Sequence, residues 1–262
     1  MLKIAVLGAG RMGREIVSEI ATSRDAKLTG LWVRAGRPAG TLPEGAIASS
    51  NLAEVLADAE VAVDFSLPSA TLEVLDAVTR AQVPLVSGVT GLEEHDMRQL
   101  QVSARSIPLL YDRNMSLGIA VLQDLVARAA PRLAQFFAEI HETHHVHKKD
   151  APSGTAIALG QALAGSMGRD FEEVYRYEPA GAAVRYTPED IVFAVTRRGE
   201  VAGEHTVIFR SEAESLELTH RVSDRRVFAQ GALRAAGWLV GQPPGFYRMS
   251  DMMGGSQERK RN

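Results

Sequence analysis

The chain contains no cysteine, which excludes disulfide bonds and thiolate catalysis. It also lacks any apolar run close to the roughly 20 residues that a membrane-spanning helix needs, so no membrane partner is expected. The N-terminal run Leu2–Leu7 is too short for the apolar core of a signal peptide. These absences predict a soluble protein of a reducing compartment, the cytoplasm.

A strong charge of either sign is missing too. The 29 lysines and arginines nearly balance the 32 aspartates and glutamates, and the formal net charge is −3. Because no broad positive field is expected, nucleic acid is excluded as a partner in favour of small molecules. The basic cluster Glu258–Asn262 follows a glycine pair and predicts a solvated chain terminus without function.

Hydrophobic residues make up 45% of the 262 positions, which is enough for two cores. Up to residue 113, short apolar runs alternate with amphipathic segments. The predicted strands are Ile4–Leu7, Leu28–Val33, Val61–Phe65, Pro84–Val86 and Ile107–Tyr111. The predicted helices are Met12–Ile20, Ala70–Arg80 and Glu93–Arg105. This alternation predicts an α/β fold with a doubly wound parallel sheet of the Rossmann type.

After Asn114 the pattern changes to a second domain of the α+β type. Its predicted helices are Leu117–Ala130 and Ala156–Ala164, and its predicted strands are Phe137–Thr143, Ile191–Thr196, His205–Phe209 and Leu216–Val222. Turn residues at Arg197–Gly199 and Gly203–Glu204 predict a hairpin between the second and third of these strands, in a mainly antiparallel sheet.

The last amphipathic segment, Val227–Val240, predicts a helix that packs on the first domain. We therefore expect residues 1–115 and 226–262 to form the dinucleotide-binding domain. Residues 116–225 are expected to bind the substrate and to form the oligomer interface.

A glycine motif, GxGxxG, lies between the first predicted strand and the first predicted helix. In this position one glycine makes a tight turn, one lets the main chain approach a pyrophosphate, and one lets helix and strand pack closely. The phosphates would lie at the positive N-terminus of the helix. The motif predicts dinucleotide binding rather than a simple glycine turn. Its residues are Gly8, Ala9, Gly10, Arg11, Met12 and Gly13.

The residues after the second predicted strand bear on the choice of dinucleotide. Many dinucleotide folds place an acidic residue here for the ribose hydroxyl, but this chain has Val33. Arg34 and Arg37 follow, and a guanidinium suits a 2′-phosphate. We expect NADPH to be the preferred cofactor, with NADH possible. The alternative is that both arginines are simply solvated.

Four histidines lie within seven residues between positions 141 and 147. The run His141–His145 matches H-E-x-x-H, the zinc protease pattern, which needs a helix that puts both histidines on one face. Strand-like residues before it and Pro152 after it argue against such a helix, so no metal is predicted. A metallohydrolase stays as the weaker alternative.

The same segment offers groups for proton transfer and anion binding. Histidine titrates near neutral pH, and lysine supplies both a charge and a proton. Downstream, a helix follows Pro152, and its first main-chain N–H groups near Gly154 and Thr155 suit a substrate carboxylate. We expect His141 and His147 to be satisfied, half-buried side chains.

This segment resembles the signature of the 4-hydroxy-tetrahydrodipicolinate reductase family, also called dihydrodipicolinate reductase. The signature E-x-H-H-x-x-K-x-D-A-P-S-G-T-A is met by Glu142, His144, His145, Lys148 and Asp150–Ala156. The similarity extends over nearly the whole chain, to about residue 253. Other matching segments are Gly8–Gly13, Val63–Ser66, Ser87–Gly91, Asn114–Gly118, Gly199–His205 and Phe228–Arg234.

The resemblance implies hydride transfer from NAD(P)H to C4 of the substrate ring, with loss of the 4-hydroxyl as water, in lysine and diaminopimelate biosynthesis. His144 would be the proton donor or acceptor, and Lys148 a second proton donor. A small dicarboxylate substrate would contact His145, Gly154 and Thr155, and the family is usually homotetrameric. The cofactor would contact, besides the glycine motif and Arg34, the residues Gly88, Val89, Thr90, Asp112, Arg113, Asn114 and Met115.

Three positions depart from the family pattern. Val89 stands where threonine is frequent, Met115 where phenylalanine is frequent, and Val33 where many members carry an acidic residue. The first two affect cofactor affinity, and the third weakens NADH use more than catalysis. Two alternatives stay open: a related reductase of another cyclic imine, and a non-catalytic NADP(H)-sensing protein of the same fold.

Overall fold

The computed structural model describes residues 1–36, 40–177 and 186–253. The chain divides into two compact units, Met1–Ser116 with Arg226–Asn262 and Leu117–Arg225. The roles that the sequence assigns to the two domains stay predictions. Within the described ranges, no helix is long and apolar enough to span a membrane. Arg37 and the basic cluster at the C-terminus lie outside them.

The elements are numbered along the chain. The strands are β1 (Leu2–Leu7), β2 (Ala26–Trp32), β3 (Ile47–Ser49), β4 (Val61–Asp64), β5 (Leu85–Ser87), β6 (Pro108–Tyr111), β7 (Phe137–His144), β8 (Tyr175–Tyr177), β9 (Ile191–Arg197), β10 (Gly203–Arg210), β11 (Ser215–Val222) and β12 (Gly245–Tyr247). The α-helices are α1 (Arg11–Thr22), α2 (Leu52–Leu56), α3 (Thr71–Ala81), α4 (Glu94–Ser103), α5 (Leu117–Ala129), α6 (Gly154–Ser166), α7 (Phe171–Val174) and α8 (Arg226–Leu239). The sequence patterns missed β3, β8, β12, α2 and α7, because such short elements show no periodicity.

The first unit contains a seven-stranded sheet with the order β12-β6-β5-β4-β1-β2-β3. Every pair of neighbours in it is parallel. The chain runs outward from β1 through β2 to β3 and then returns to β4 on the other side of β1, so the strand order reverses at β1. The predicted doubly wound, Rossmann-type sheet is confirmed.

The centre of this sheet is continuously apolar, as expected for strands with helices on both faces. Residues Ile4–Leu7 of β1 and Val61–Val63 of β4 are completely buried. Asp64, the last residue of β4, is only 1% exposed. A buried carboxyl group therefore stands at the carboxyl edge of the sheet.

Helix α8 lies in the first unit, where it contacts α1 and β4. Its buried face consists of small residues such as Ala232 and Ala236. Gly231 makes the closest approach, since a Cβ there would lie 1.7 Å from the carbonyl oxygen of Met115. A side chain at this position would force the helix away from the end of segment 112–115.

The second unit contains a five-stranded sheet with the order β11-β10-β7-β9-β8. β10 is antiparallel to β7 and β11, whereas β7, β9 and β8 are parallel, so the sheet is mixed rather than mainly antiparallel. The predicted hairpin between β9 and β10 is wrong, because β7 lies between these strands. Turn residues indicate that a chain reverses, not which strand it returns to. Gly203 and Glu204, predicted as turn residues, begin β10.

One face of this sheet is covered by α6, and alternate residues of the strands point toward it. Ile140 of β7, Phe193 of β9 and Val207 of β10 form a buried cluster with Leu159 and Leu163 of α6. The same alternation continues along β7 to its carboxyl end, where the next residues on this face are polar.

We predict that Gly231→Ala destabilises the protein by about 1–3 kcal/mol, because the added methyl group overlaps the Met115 carbonyl. Gly237→Ala in the same helix is the matched control, since a Cβ there has no heavy atom within 4 Å. Alanine favours the helix, so this control should be neutral or more stable by up to about 1 kcal/mol. Urea unfolding measures both. Equal stability of the two variants would contradict the close approach.

Candidate active site

The carboxyl ends of five parallel strands in the first unit lie side by side. Leu7 pairs with Trp32 and with Asp64. Ser87 pairs with Asp64 and with Tyr111. Because these residues end their strands, the segments that follow them share one edge of the sheet. The structure brings to this edge the predicted cofactor residues: the glycine motif, Arg34, Gly88–Thr90 and Asp112–Met115.

The glycine motif forms a turn that fits a pyrophosphate. Gly8 adopts a positive φ of 99° and its N–H donates to the Trp32 carbonyl at 3.1 Å. A Cβ on Gly13 would lie 1.8 Å from the Gly8 carbonyl oxygen, so the helix comes this close only with glycine. Gly10 caps α1, and a Cβ there would meet nothing within 4 Å. The main chain at the N-terminus of this helix is therefore accessible at Gly10, as anion binding requires.

The chain after β2 offers a cation and no carboxylate over residues 33–36. Val33 is buried, and its N–H donates to the Ser49 carbonyl at 3.0 Å. Arg34 is exposed. The exposed Arg34 therefore offers a guanidinium at the edge of the sheet where a dinucleotide ribose binds in this fold.

The segment after β6 is tied to the C-terminal part of the unit. One carboxylate oxygen of Asp112 accepts the Met249 N–H at 3.3 Å, and the other accepts the Asn114 N–H at 3.5 Å. Burial raises the pKa of Asp112, while the nearby Arg248 acts to lower it. Val89 and Met115 are each only 2% exposed, so the two departures from the family pattern fill the interior of the unit.

In the second unit, strand β7 determines which histidine enters the interior. Its residues alternate between the two faces of the sheet, and Glu142 and His144 follow Ile140 on the buried face. His141 points to the other face, where its Nε2 lies 2.8 Å from a Glu139 carboxylate oxygen. The strand therefore separates the two ends of the H-E-x-x-H pattern, which a zinc protease helix would bring together.

Glu142 is the centre of a buried polar network. Its side chain is 1% exposed, and Oε1 accepts an Arg197 Nη2–H at 3.0 Å. Both carboxylate oxygens lie within 3.2 Å of the Ser153 main-chain nitrogen, which donates to them. Oε2 lies 3.5 Å from Nδ1 of His144 and 3.7 Å from Nε2 of His205. One carboxylate thus links three strands and the start of α6.

Lys148 lies in the loop after β7, held from two sides. Its Nζ forms an ion pair with Asp150 at 2.8 Å. Arg197 donates from Nε to the Lys148 carbonyl at 3.3 Å and from Nη2 to the Asp150 carbonyl. Burial acts to raise the pKa of Asp150, but the hydrogen bond and charge of Lys148 outweigh it, and the net shift is downward. The lysine is therefore a restrained cation.

The two buried imidazoles are neutral at neutral pH. Burial lowers the pKa of His144 to about 4, although Glu142 acts to raise it and Lys148 to lower it further. Burial also lowers the pKa of His205 to about 3. The rings meet edge to face at 5.0 Å, and His205 Nε2 lies 3.2 Å from Ser153 Oγ.

The other three histidines of the segment 141–147 differ in exposure. His145 is half-buried, and its Nδ1 has no hydrogen-bond partner within the described ranges. His141 is half-buried and paired, as expected. His147 is exposed, with 74% of its side chain in solvent, so the expected half-buried position is wrong. It lies in the loop after β7, beyond the reach of the alternation that orders the strand.

Glu142, His144 and His205 offer three potential metal ligands whose atoms lie within 4.8 Å of one another. The carboxylate of this group, however, is already paired with the Arg197 guanidinium and the Ser153 N–H. A divalent cation at this position would have to displace the Arg197 guanidinium from the carboxylate, and it would lie near the positive charge of Lys148. The charge arrangement favours proton chemistry over metal binding.

Two family descriptions match the chain and between them cover almost all of it. Dihydrodipicolinate reductase, N-terminus, matches residues 2–115, and Dihydrodipicolinate reductase, C-terminus, matches residues 118–253. The chain belongs to the dihydrodipicolinate reductase family. The resemblance found in the sequence is confirmed, and with it the assignment to an oxidoreductase family.

Relatives of known name support this membership over their full length. The chain is 40% identical to the 4-hydroxy-tetrahydrodipicolinate reductase of Campylobacter curvus, covering 97% of this chain and 100% of the relative. It is 41% identical to that of Wolinella succinogenes, with the same coverage of both. Among solved structures, dipicolinate-bound dihydrodipicolinate reductase from Paenisporosarcina sp. TG-14 has a TM-score of 0.78 at 21% identity, covering 95% of this chain and 97% of that one. This likeness shows the shared fold.

Within this dihydrodipicolinate reductase fold, three site residues carried no role in the sequence interpretation. Arg197 was considered only as a turn residue, and His205 only as the start of a predicted strand and as part of a matching segment. Ser153 counted only as a letter of the signature. One signal was available for His205, since it alternates with Val207 and Phe209 on the buried face of its strand. Nothing local marks Arg197, because its partners lie 47–55 positions away.

We predict that the stability of this dihydrodipicolinate reductase family member falls as the pH drops from about 6.5 toward 4. In that range the unfolded histidines bind protons that buried His144 and His205 do not, so protons favour unfolding. A His205→Gln variant should lose less stability than the wild type between pH 7 and 4.5. Thermal melting at stepped pH measures both slopes. Asp64, whose pKa burial raises to about 6, acts in the opposite direction but equally in both proteins. Identical slopes would contradict the buried neutral state of His205.

Proposed function

We propose that the protein reduces 4-hydroxy-tetrahydrodipicolinate to tetrahydrodipicolinate with NAD(P)H, in lysine and diaminopimelate biosynthesis. The observation that carries the proposal is the arrangement of Glu142, His144 and the loop bearing Lys148. Arg197 hydrogen-bonds both to Glu142 and to the loop, and Glu142 lies 3.5 Å from His144. Glu142, His144 and Lys148 belong to the reductase signature, and the family membership supports the same reaction. The family uses NAD(P)H.

The reaction needs one hydride and one proton. A bound nicotinamide would supply the hydride, and the glycine motif, where a Cβ on Gly10 would meet no heavy atom within 4 Å, would hold the pyrophosphate. The ring carbon gains the hydride, the 4-hydroxyl leaves with a proton as water, and NAD(P)H becomes NAD(P)⁺. The chain must therefore hold a dicarboxylate in place and deliver one proton.

We assign the delivery of this proton to His144 and Lys148. The cationic Lys148 attracts the substrate carboxylates and offers a proton. His144 is neutral in the free protein because burial lowers its pKa to about 4. Two substrate carboxylates nearby would favour the imidazolium and raise that pKa, so the histidine can take up and pass on a proton once the substrate is bound.

The remaining substrate contacts are proposed for His145, Gly154 and Thr155. Gly154 and Thr155 are the first residues of α6, where main-chain N–H groups favour a carboxylate. The buried Nδ1 of His145 has no hydrogen-bond partner among the described residues and can turn toward a polar ligand. Together with Lys148 these groups provide donors for two carboxylates.

NADPH is the proposed preferred form of the cofactor, with NADH possible. The exposed Arg34 guanidinium suits a 2′-phosphate, and buried Val33 offers no carboxylate to a ribose hydroxyl. The homotetramer rests on the family resemblance, and the cytoplasmic location rests on the absence of cysteine and of apolar targeting segments in the sequence; both stay predictions. A reductase of another cyclic imine and a non-catalytic sensor find no support in the comparisons, which match reductases of the same name.

The test follows the loss of absorbance at 340 nm with NADPH and then with NADH. The substrate is generated in situ by the preceding synthase from pyruvate and aspartate semialdehyde, and EDTA is present throughout. Rapid oxidation, faster with NADPH, is the expected result. Protein that binds NADPH but does not oxidise it would overturn the assignment, and zinc bound to the protein as purified would favour the metallohydrolase alternative.

We predict that Lys148→Ala lowers turnover by about 100-fold or more, as is typical for a positioned acid. The matched control is Lys149→Ala, which removes the neighbouring exposed lysine and should leave turnover within about twofold of the wild type. Steady-state kinetics on both variants measure the effect. Equal rates in folded Lys148→Ala and Lys149→Ala would remove Lys148 from the site.

We predict that Arg34→Ala raises KM for NADPH about tenfold and leaves KM for NADH unchanged, because one charge-assisted hydrogen bond to the 2′-phosphate is lost. Arg24→Ala is the control, since Arg24 is exposed and precedes β2 at the opposite edge of the sheet. Kinetics with each cofactor give the values. A parallel change for NADPH and NADH would contradict a 2′-phosphate contact.

A further inference from the structure

We propose that Glu142 and Arg197 are a positioning pair for proton transfer. Arg197 fastens the loop that carries Lys148 to the end of the strand that carries His144, and Glu142 orients the His144 ring. Neither residue acts on the substrate directly. The inference rests on the proposed function for the identity of the two proton carriers.

The hydrogen bonds of Arg197 show what it holds. Its Nε donates to the Lys148 carbonyl at 3.3 Å, and its Nη2 donates to the Asp150 carbonyl and, at 3.0 Å, to Glu142. Its Nη1 donates to the Thr196 carbonyl at 3.0 Å. A guanidinium has five N–H groups, so protein acceptors account for four of them. This use leaves little capacity for a substrate carboxylate.

The strand register explains why a residue so distant in sequence reaches this loop. β7 and β9 are parallel neighbours, and Arg197 pairs with His144 at their common end. The loop after β7 therefore begins beside Arg197. The Arg198 N–H donates to the His144 carbonyl at 2.8 Å, which fixes the two strand ends to each other. The sheet itself places the guanidinium beside Glu142 and the loop that bears Lys148.

Glu142 faces the ring of His144 from the same side of β7. Its Oε2 lies 3.5 Å from Nδ1 without forming a hydrogen bond to it among the described residues. The negative charge beside Nδ1 favours the tautomer with the proton on that nitrogen, which leaves Nε2 as the acceptor. His205 packs edge to face on the ring at 5.0 Å and is itself near Ser153 Oγ. The imidazole therefore has a restricted orientation and a preferred tautomer.

Stability alone does not account for this ion pair. The desolvation penalty of a buried ion pair offsets most of the attraction between its two charges. The pair therefore contributes little net stability compared with apolar residues of similar size. Glu142 is 1% exposed and the Arg197 side chain 19% exposed. Such a pair does fix geometry, because each partner becomes costly to move once the other is in place.

The charged groups around His144 come from every neighbouring element. Glu142 lies on its own strand, Arg197 on β9, His205 on β10, and Lys148 and Asp150 in the loop. Glu142 acts to raise the pKa of His144, whereas Arg197 acts to lower it. Removal of either partner should therefore disturb turnover in the same way and the titration of His144 in opposite ways.

The experiment compares Glu142→Gln, Arg197→Met, the double variant and the control Arg198→Met, which removes the adjacent exposed arginine. We expect kcat to fall about 30- to 100-fold in both single variants, as for a misplaced catalytic group, with KM and the Kd for pyridine-2,6-dicarboxylate within about threefold. In a plot of kcat against pH, the acid limb should shift to lower pH by about 1 unit in Glu142→Gln and to higher pH in Arg197→Met. The double variant should be no slower than the slower single variant.

Several outcomes would overturn the proposal. Weaker dicarboxylate binding in proportion to the lost rate would make Arg197 a substrate ligand. If the acid limbs of Glu142→Gln and Arg197→Met shifted in the same direction, a general loss of structure would be indicated. If Arg197→Met and Arg198→Met had equal rates, Arg197 would have no positioning role.

A second readout keeps this proposal separate from the proposed function. In ¹⁵N-histidine spectra at pH 7, the Nδ1–H tautomer of His144 should dominate in the wild type and in Arg198→Met, and its population should fall in Glu142→Gln. If the wild type reduces no substrate, the proposed function fails while this result still decides for or against the pair. An unchanged population of the Nδ1–H tautomer in Glu142→Gln would refute the proposed positioning pair.

Discussion

A buried carboxylate must be satisfied on both oxygens, and the polar end of the second unit is arranged around that requirement at Glu142. Its hydrogen-bond partners come from β9 and from the N-terminal end of α6, so satisfying one charge joins elements that are far apart in the sequence. The loop with Lys148 spans from β7 to this helix. Because Arg197 binds the loop as well as the carboxylate, the positions of the two proposed proton carriers depend on the same interaction.

The two units handle charge by different means. In the first unit, main-chain groups at strand ends and at a helix N-terminus face the proposed dinucleotide site, and glycine is needed where side chains would block the approach. In the second unit, side chains of opposite charge neutralise one another around buried imidazoles. This difference follows from the chemistry assigned to each unit, since a cofactor must be held and a proton must be moved.

Much of this could be predicted because the signals are local. The apolar runs of β1 and β4 and the glycine motif between β1 and α1 are local signals, and they indicated the doubly wound sheet. The alternation along β7, which puts His144 on the buried face, is equally local, but the sequence interpretation did not use it. The mixed sheet was missed because the turn residues before β10 do not reveal that β7 separates it from β9. His147 was misjudged since exposure in a loop depends on distant packing.

The sequence by itself determined the Rossmann-type sheet, the family and the segment for which the chemistry is proposed, because these depend on spacing along the chain. The tertiary structure decided which polar groups meet: Arg197 with Glu142 and Lys148, and His205 with His144. Those contacts arise from the register of parallel strands and from crossings between them. No pattern within one element encodes a pairing across 55 positions, so only the folded sheet brings the positioning groups to the histidine.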